Sequence, residues 1–156
     1  MLAIFESRGI YLPMDINFSK KRLGQIFTNT FSGIIITEMG RLDDLRSILV
    51  ELEVNWEIIV TVDIDGKVST HSNDNYLPAS VSYYKVENDS DYDAAYIYYT
   101  SGSTGEGKAI LGSHQSLYQY INWEIEEFEI REQTRISQIA PITFDASLKD
   151  LSLIHI

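Results

Sequence analysis

The chain has 156 residues, 44% of them hydrophobic, with 12 basic against 23 acidic side chains and a net charge of −11. That is enough apolar material for one domain with a core, and the acidity excludes a general nucleic-acid binder or a protein that docks on anionic membranes. There is no cysteine, hence no disulfide framework and no thiolate metal site, and His71, His114 and His155 share no ligand spacing.

No apolar run reaches the length of a membrane span. Residues 1–6 lack the basic and apolar regions of a signal peptide, so the cytoplasm is the expected location. Residues 2–5 are a short apolar segment that leads into Glu6-Ser7-Arg8-Gly9-Ile10-Tyr11-Leu12-Pro13-Met14-Asp15. Ser19 is placed to cap a helix running to about Asn29, with Leu23, Ile26 and Phe27 on its inner face. Residues 32–37 are β-branched and short, a buried strand. Residues 41–53 carry Leu42, Leu45, Ile48, Leu49 and Leu52 at helical spacing. Residues 56–62 predict another apolar strand, closed by an Asp65-Gly66 turn. This helix–strand alternation marks an α/β fold with a parallel sheet.

Residues 63–93 break the rhythm and predict a polar, solvated loop. Residues 94–99 are an apolar, aromatic strand that ends abruptly in Thr100-Ser101-Gly102-Ser103-Thr104-Gly105-Glu106-Gly107-Lys108. These nine positions hold three glycines, four hydroxyls and one lysine. Glycines let backbone N–H groups approach an anion closely. Successive N–H groups in a turn form a nest for phosphate oxygens. The hydroxyls add neutral donors and Lys108 a point charge. After the loop, residues 108–112 predict a short strand.

Ser113 is placed to cap a long helix with Leu117, Ile121, Ile125 and Phe128 on one face. Glu124, Glu126, Glu127 and Glu129 then make the remainder strongly negative, and His114 reads as a helix-start residue. Residues 135–140 predict a strand. Pro141-Ile142-Thr143-Phe144-Asp145-Ala146-Ser147-Leu148-Lys149-Asp150 follows. Residues 151–156 can be read as the translation of a transposon end sequence used in sequencing libraries, and are expected to be a non-native tail.

Two families use such a loop. Gly102, Gly107 and Lys108 fit the G-x-x-x-x-G-K spacing of a P-loop NTPase, but Ala109 stands where a Mg²⁺-holding hydroxyl belongs. Tyr99 to Gly105, with Lys108, match the phosphate loop YTSGSTGxPKG of adenylate-forming enzymes, with Gly107 for proline and Ala109 for glycine. Gly9, Tyr11, Leu12, Pro13 and Asp15 resemble KAGGAYLPIDP, with Arg8 at the first glycine. Phe144, Asp145 and Ser147 resemble FDxS. Three motifs in order make the chain similar to the amino-acid adenylation domains of nonribosomal peptide synthetases.

The resemblance implies a partial, parallel-sheet α/β subdomain of the family's N-terminal core at residues 1–150. It implies activation of an amino acid by ATP with Mg²⁺, the metal's ligands lying mostly outside this stretch, and loading onto the phosphopantetheine thiol of a carrier protein. A condensation domain is expected in the intact protein, and the stretch alone is expected to be inactive. Thr100, Ser101, Gly102, Ser103, Thr104, Gly105 and Lys108 would hold ATP, with Lys108 also catalytic. Asp145 would pair with the substrate's α-ammonium. Lys149, four positions on, would line the side-chain pocket and pair there with a carboxylate of an acidic amino acid. The alternatives are a P-loop nucleotide-binding module and another adenylate-forming ligase such as an acyl-CoA synthetase.

Overall fold

A computed structural model describes residues 1–30, 33–75, 93–100 and 107–153. The chain divides into two compact units, a sheet unit of Ile16–Tyr84 and a hairpin unit of Met1–Asp15 with Lys85–Ile156.

In the sheet unit, helix α2 (Lys20–Asn29) starts where Ser19 accepts a hydrogen bond from Arg22 N–H at 3.3 Å. Strand β1 (Ile34–Glu38), helix α3 (Leu42–Glu51) and strand β2 (Ile58–Val62) follow in the expected order. β1 and β2 pair in parallel, Ile35 against Ile59. One face of this pair, with Leu42, Leu45 and Leu49 of α3, forms the core, and Phe27 and Trp56 pack at its margin. Ile34 and Ile36 point the other way and stay exposed, as the two-residue period of a strand requires.

The polar stretch after β2 is not all loop. Strand β3 (Val68–Ser72) pairs antiparallel with β2, so the sheet is mixed rather than wholly parallel. The turn supplies the reason. Asp63 Oδ1 accepts from the N–H groups of Asp65 and Lys67 at 3.0 and 2.7 Å, and Gly66 takes φ 78°, a conformation only glycine adopts without steric cost. Inside the hairpin, Thr61 Oγ1 lies 3.2 Å from His71 Nε2.

In the hairpin unit, residues 2–5 belong to a short helix α1 (Leu2–Glu6). Arg8 follows at φ 57°, in the left-handed region that favours glycine, and glycine is what the resembled motif carries there. Strand β4 (Ala94–Thr100) pairs antiparallel with β5 (Lys108–Ser113), and Tyr11 bridges β4 from the other edge in parallel. Tyr11 donates its N–H to Ala95 at 2.8 Å and accepts from Ile97 at 2.9 Å. A Cβ on Gly112 would collide with the Tyr96 ring, so this close approach requires glycine.

Helix α4 (His114–Glu127) opens with a capping box made by Ser113 and Ser116. Helix α5 (Ala146–Leu153) packs against it, and Leu117, Leu148 and Tyr98 form the local core. Three expectations fail here. Residues 135–140 form no strand. Phe128 sits at the end of α4 and is exposed, packing edge-on against Trp123 instead of the core. Glu124, expected in solvent, is buried. The helical period explains it: Glu124 lies seven positions after Leu117 and three after Ile121, on the inner face.

Candidate active site

All the expected site residues lie in the hairpin unit. Ser101, Gly102, Ser103, Thr104 and Gly105 fall outside the described residues. The two ends of the loop are described. The β4–β5 register sets Thr100 directly opposite Lys108, and the Thr100 hydroxyl donates to the Lys108 carbonyl at 3.5 Å. Both residues are exposed, and the Lys108 ammonium has no ion-pair partner among the described residues. A hydroxyl and an uncommitted ammonium at the loop end of a hairpin can donate to phosphate oxygens, the hydroxyl by releasing the Lys108 carbonyl. Lys108 begins a strand. A P-loop lysine begins a helix, so the local backbone agrees with the adenylate-forming reading of the loop.

Asp145 ends the turn after Pro141 and immediately precedes α5. Its Oδ1 accepts from Ala146 N–H at 2.8 Å, and the side chain is exposed. The turn is held from within. Ser147, fully buried, donates to Phe144 O at 2.7 Å, and its hydroxyl meets that of Tyr98 at 3.2 Å. Tyr98 also donates to Ile142 O at 3.1 Å. The third motif is therefore tied to the strand that leads into the Gly/Ser/Thr loop. Burial pushes the Tyr98 phenol up to about 12, against a smaller downward pull from its Ser147 hydrogen bond.

Lys149 lies one turn beyond Asp145 on α5 and reaches across to α4. Its Nζ is 3.3 Å from Glu124 Oε1. Tyr120 donates to the same oxygen at 3.3 Å. The hydrogen bond to Glu124 and that residue's charge raise Lys149 above the ordinary lysine range. Burial and then Glu124 raise the Tyr120 phenol. The sequence alone did not single out Glu124. Its place in the inner-face spacing was the available signal, overridden there by the acidic run that follows it.

His114 is the first residue of α4 and packs edge-on against Phe5, with ring centroids 4.8 Å apart. Among the described residues, no group of three or more His, Cys, Asp or Glu gathers to hold a metal, and no helix is long and apolar enough to cross a membrane.

The fold is that of adenylate-forming enzymes. It superposes on ATP-bound MatB from Rhodopseudomonas palustris with a TM-score of 0.66 at 24% identity, covering 97% of this chain and 29% of that one. It also superposes on the Vibrio cholerae adenylation domain AlmE, solved with glycyl-adenosine-5'-phosphate, with a TM-score of 0.62 at 23% identity, covering 99% of this chain and 32% of AlmE. The chain belongs to the AMP-binding enzyme family, which it matches over residues 1–155. Its relatives include tyrocidine synthase 3 of Brevibacillus parabrevis, 28% identical over 153 residues. That match takes in 98% of this chain and 2% of the synthase.

Proposed function

We propose that this chain is the N-terminal-core portion of an amino-acid adenylation domain of a nonribosomal peptide synthetase. In the proposed reaction, the amino-acid carboxylate oxygen bonds to the α-phosphorus of ATP, and the bond to the β-phosphate oxygen breaks. The products are an aminoacyl adenylate and pyrophosphate. A carrier-protein thiol then takes the aminoacyl group and AMP leaves. We place this reaction in the cytoplasm, with a condensation domain in the same synthetase and Mg²⁺ accompanying ATP.

The observation that carries the reading is the loop that joins β4 to β5 between Thr100 and Lys108, in a chain of the AMP-binding family. Thr100 and Lys108 would donate to phosphate oxygens there, together with Ser101, Gly102, Ser103, Thr104 and Gly105. Donors held in place before the reaction stabilise the charge that develops in the transition state more than the ground state. Asp145, exposed at the start of α5, would take the substrate α-ammonium, and Lys149 would face the side chain. The first nucleotide contacts and the FDxS turn share one scaffold, through Tyr98 and Ser147.

Amino-acid-dependent ATP–pyrophosphate exchange by the longer protein that carries this sequence tests the proposal. Lys108→Ala is expected to lower kcat by a factor corresponding to about 2–4 kcal/mol, with a smaller change in the amino-acid KM. An unchanged kcat would remove Lys108 from the machinery. The 156-residue chain alone is expected to support no exchange, and clear exchange would contradict that.

A further inference from the structure

We infer that Glu124 determines the substrate class: by holding Lys149 it makes the side-chain end of the site electrically neutral. The amino acid activated there then carries an uncharged, hydrogen-bond-accepting side chain rather than a carboxylate. The inference rests on the function proposed above, because it takes Asp145 as the anchor for the α-ammonium.

The Glu124 side chain is 5% exposed and that of Lys149 36%. Glu124 Oε1 accepts from both Lys149 and Tyr120, while Oε2 is buried with no hydrogen-bond partner among the described residues. A carboxylate withdrawn from water is tolerated only when it is paired and hydrogen-bonded. This one is already short of a donor, and Lys149 is its only cation among the described residues. The dependence is unequal. Lys149 reaches solvent and could be hydrated there, whereas without Lys149 Glu124 would keep, among the described residues, only the neutral hydrogen bond from Tyr120. Surrendering Lys149 to a substrate carboxylate would strand Glu124.

The charge count agrees. Asp145 offsets the α-ammonium and Glu124 offsets Lys149, so a neutral side chain adds no further charge at that end of the site. An aspartate or glutamate side chain would add a further negative charge beside Glu124 and the buried Asp150, with no unpaired cation among the described residues there to match it. An ammonium has three donors. Those of Lys149 not committed to Glu124 can serve a neutral acceptor such as an amide carbonyl or a hydroxyl. The expectation of an acidic substrate assumed an unpaired Lys149, and the partner that removes this premise lies 25 positions earlier in the chain.

The test is a substrate panel in ATP–pyrophosphate exchange with the longer protein, using Asn, Gln, Ser, Thr, Asp, Glu, Leu and Val. An amide or hydroxyl side chain is expected to exceed Asp and Glu by at least about tenfold in kcat/KM. Glu124→Gln removes the charge that offsets Lys149 and is expected to shift the acidic-to-neutral ratio about tenfold toward Asp or Glu. Preference for Asp, Glu, Leu or Val, or a ratio unmoved by the substitution, would overturn the inference and leave the adenylation reading standing. Exchange with no amino acid at all would bring down both. If circular dichroism shows that E124Q does not fold, the panel on the unsubstituted protein decides alone.

Discussion

The two units bury different chemistry. In the sheet unit, the interior is Leu23, Ile26, Ile35, Leu42, Leu45, Leu49 and Ile59, with Thr61 the one buried polar side chain among the described residues there. In the hairpin unit, Glu124, Ser147 and Asp150 are buried beside Tyr98, Leu117 and Leu148. Hydrocarbon packing is non-directional and supplies stability in proportion to area. Buried hydroxyls and carboxylates add little net stability, but they demand partners in set directions. The unit that carries the expected site residues is therefore the one whose interior fixes geometry.

The sharpest way to break this contrast is to excavate the hydrocarbon core. Leu49→Ala removes a side chain only 1% exposed and is expected to cost about 2–5 kcal/mol in urea unfolding. A cost below about 1 kcal/mol would show that this core collapses around the gap.

Removing the central hydroxyl of the polar interior should cost less and leave a distinct signature. Tyr98→Phe deletes the bonds to Ile142 O and Ser147 Oγ and is expected to cost about 1 kcal/mol. The Tyr98 phenol is raised from 10.0 to about 12. The folded state thus keeps a proton that the unfolded state releases. Its contribution is complete below pH 10 and is lost as pH rises toward about 12. The unsubstituted chain should lose stability across that window, and Y98F should lose correspondingly less. Equal losses in both would assign the pH dependence to other groups.

The smallest expected effect has the opposite sign. Arg8→Gly relieves a left-handed backbone and is expected to stabilise by about 0.5–1 kcal/mol, after the unfolded-state entropy of glycine is offset. A loss of stability would show that contacts of the Arg8 side chain outweigh the backbone strain.

Much of this was legible from neighbouring residues. Ser19 and Ser113 cap helices because the groups they satisfy lie three positions away. β1, α3 and β2 follow their apolar spacing. The loop motif and FDxS are contiguous runs, readable without a structure. β3 was not legible. Val68, Ser69, Thr70, His71 and Ser72 show no clear apolar alternation, and the strand exists because the Asp63 turn delivers it to the edge of β2. The strand predicted over 135–140 has the reverse history: Ile136, Ile139 and Ala140 are interspersed with polar residues but find no strand partner among the described residues.

The sequence by itself determined the family motifs, the helix caps and the residues proposed for phosphate, because each depends on groups a few positions apart. Only the tertiary structure decided that Tyr98 meets Ser147 across 49 positions, and that Glu124 rather than solvent receives Lys149. Those contacts depend on how α4, α5 and β4 pack. A charged residue's partner, and with it the charge left for a substrate, is a property of that packing and not of the residue.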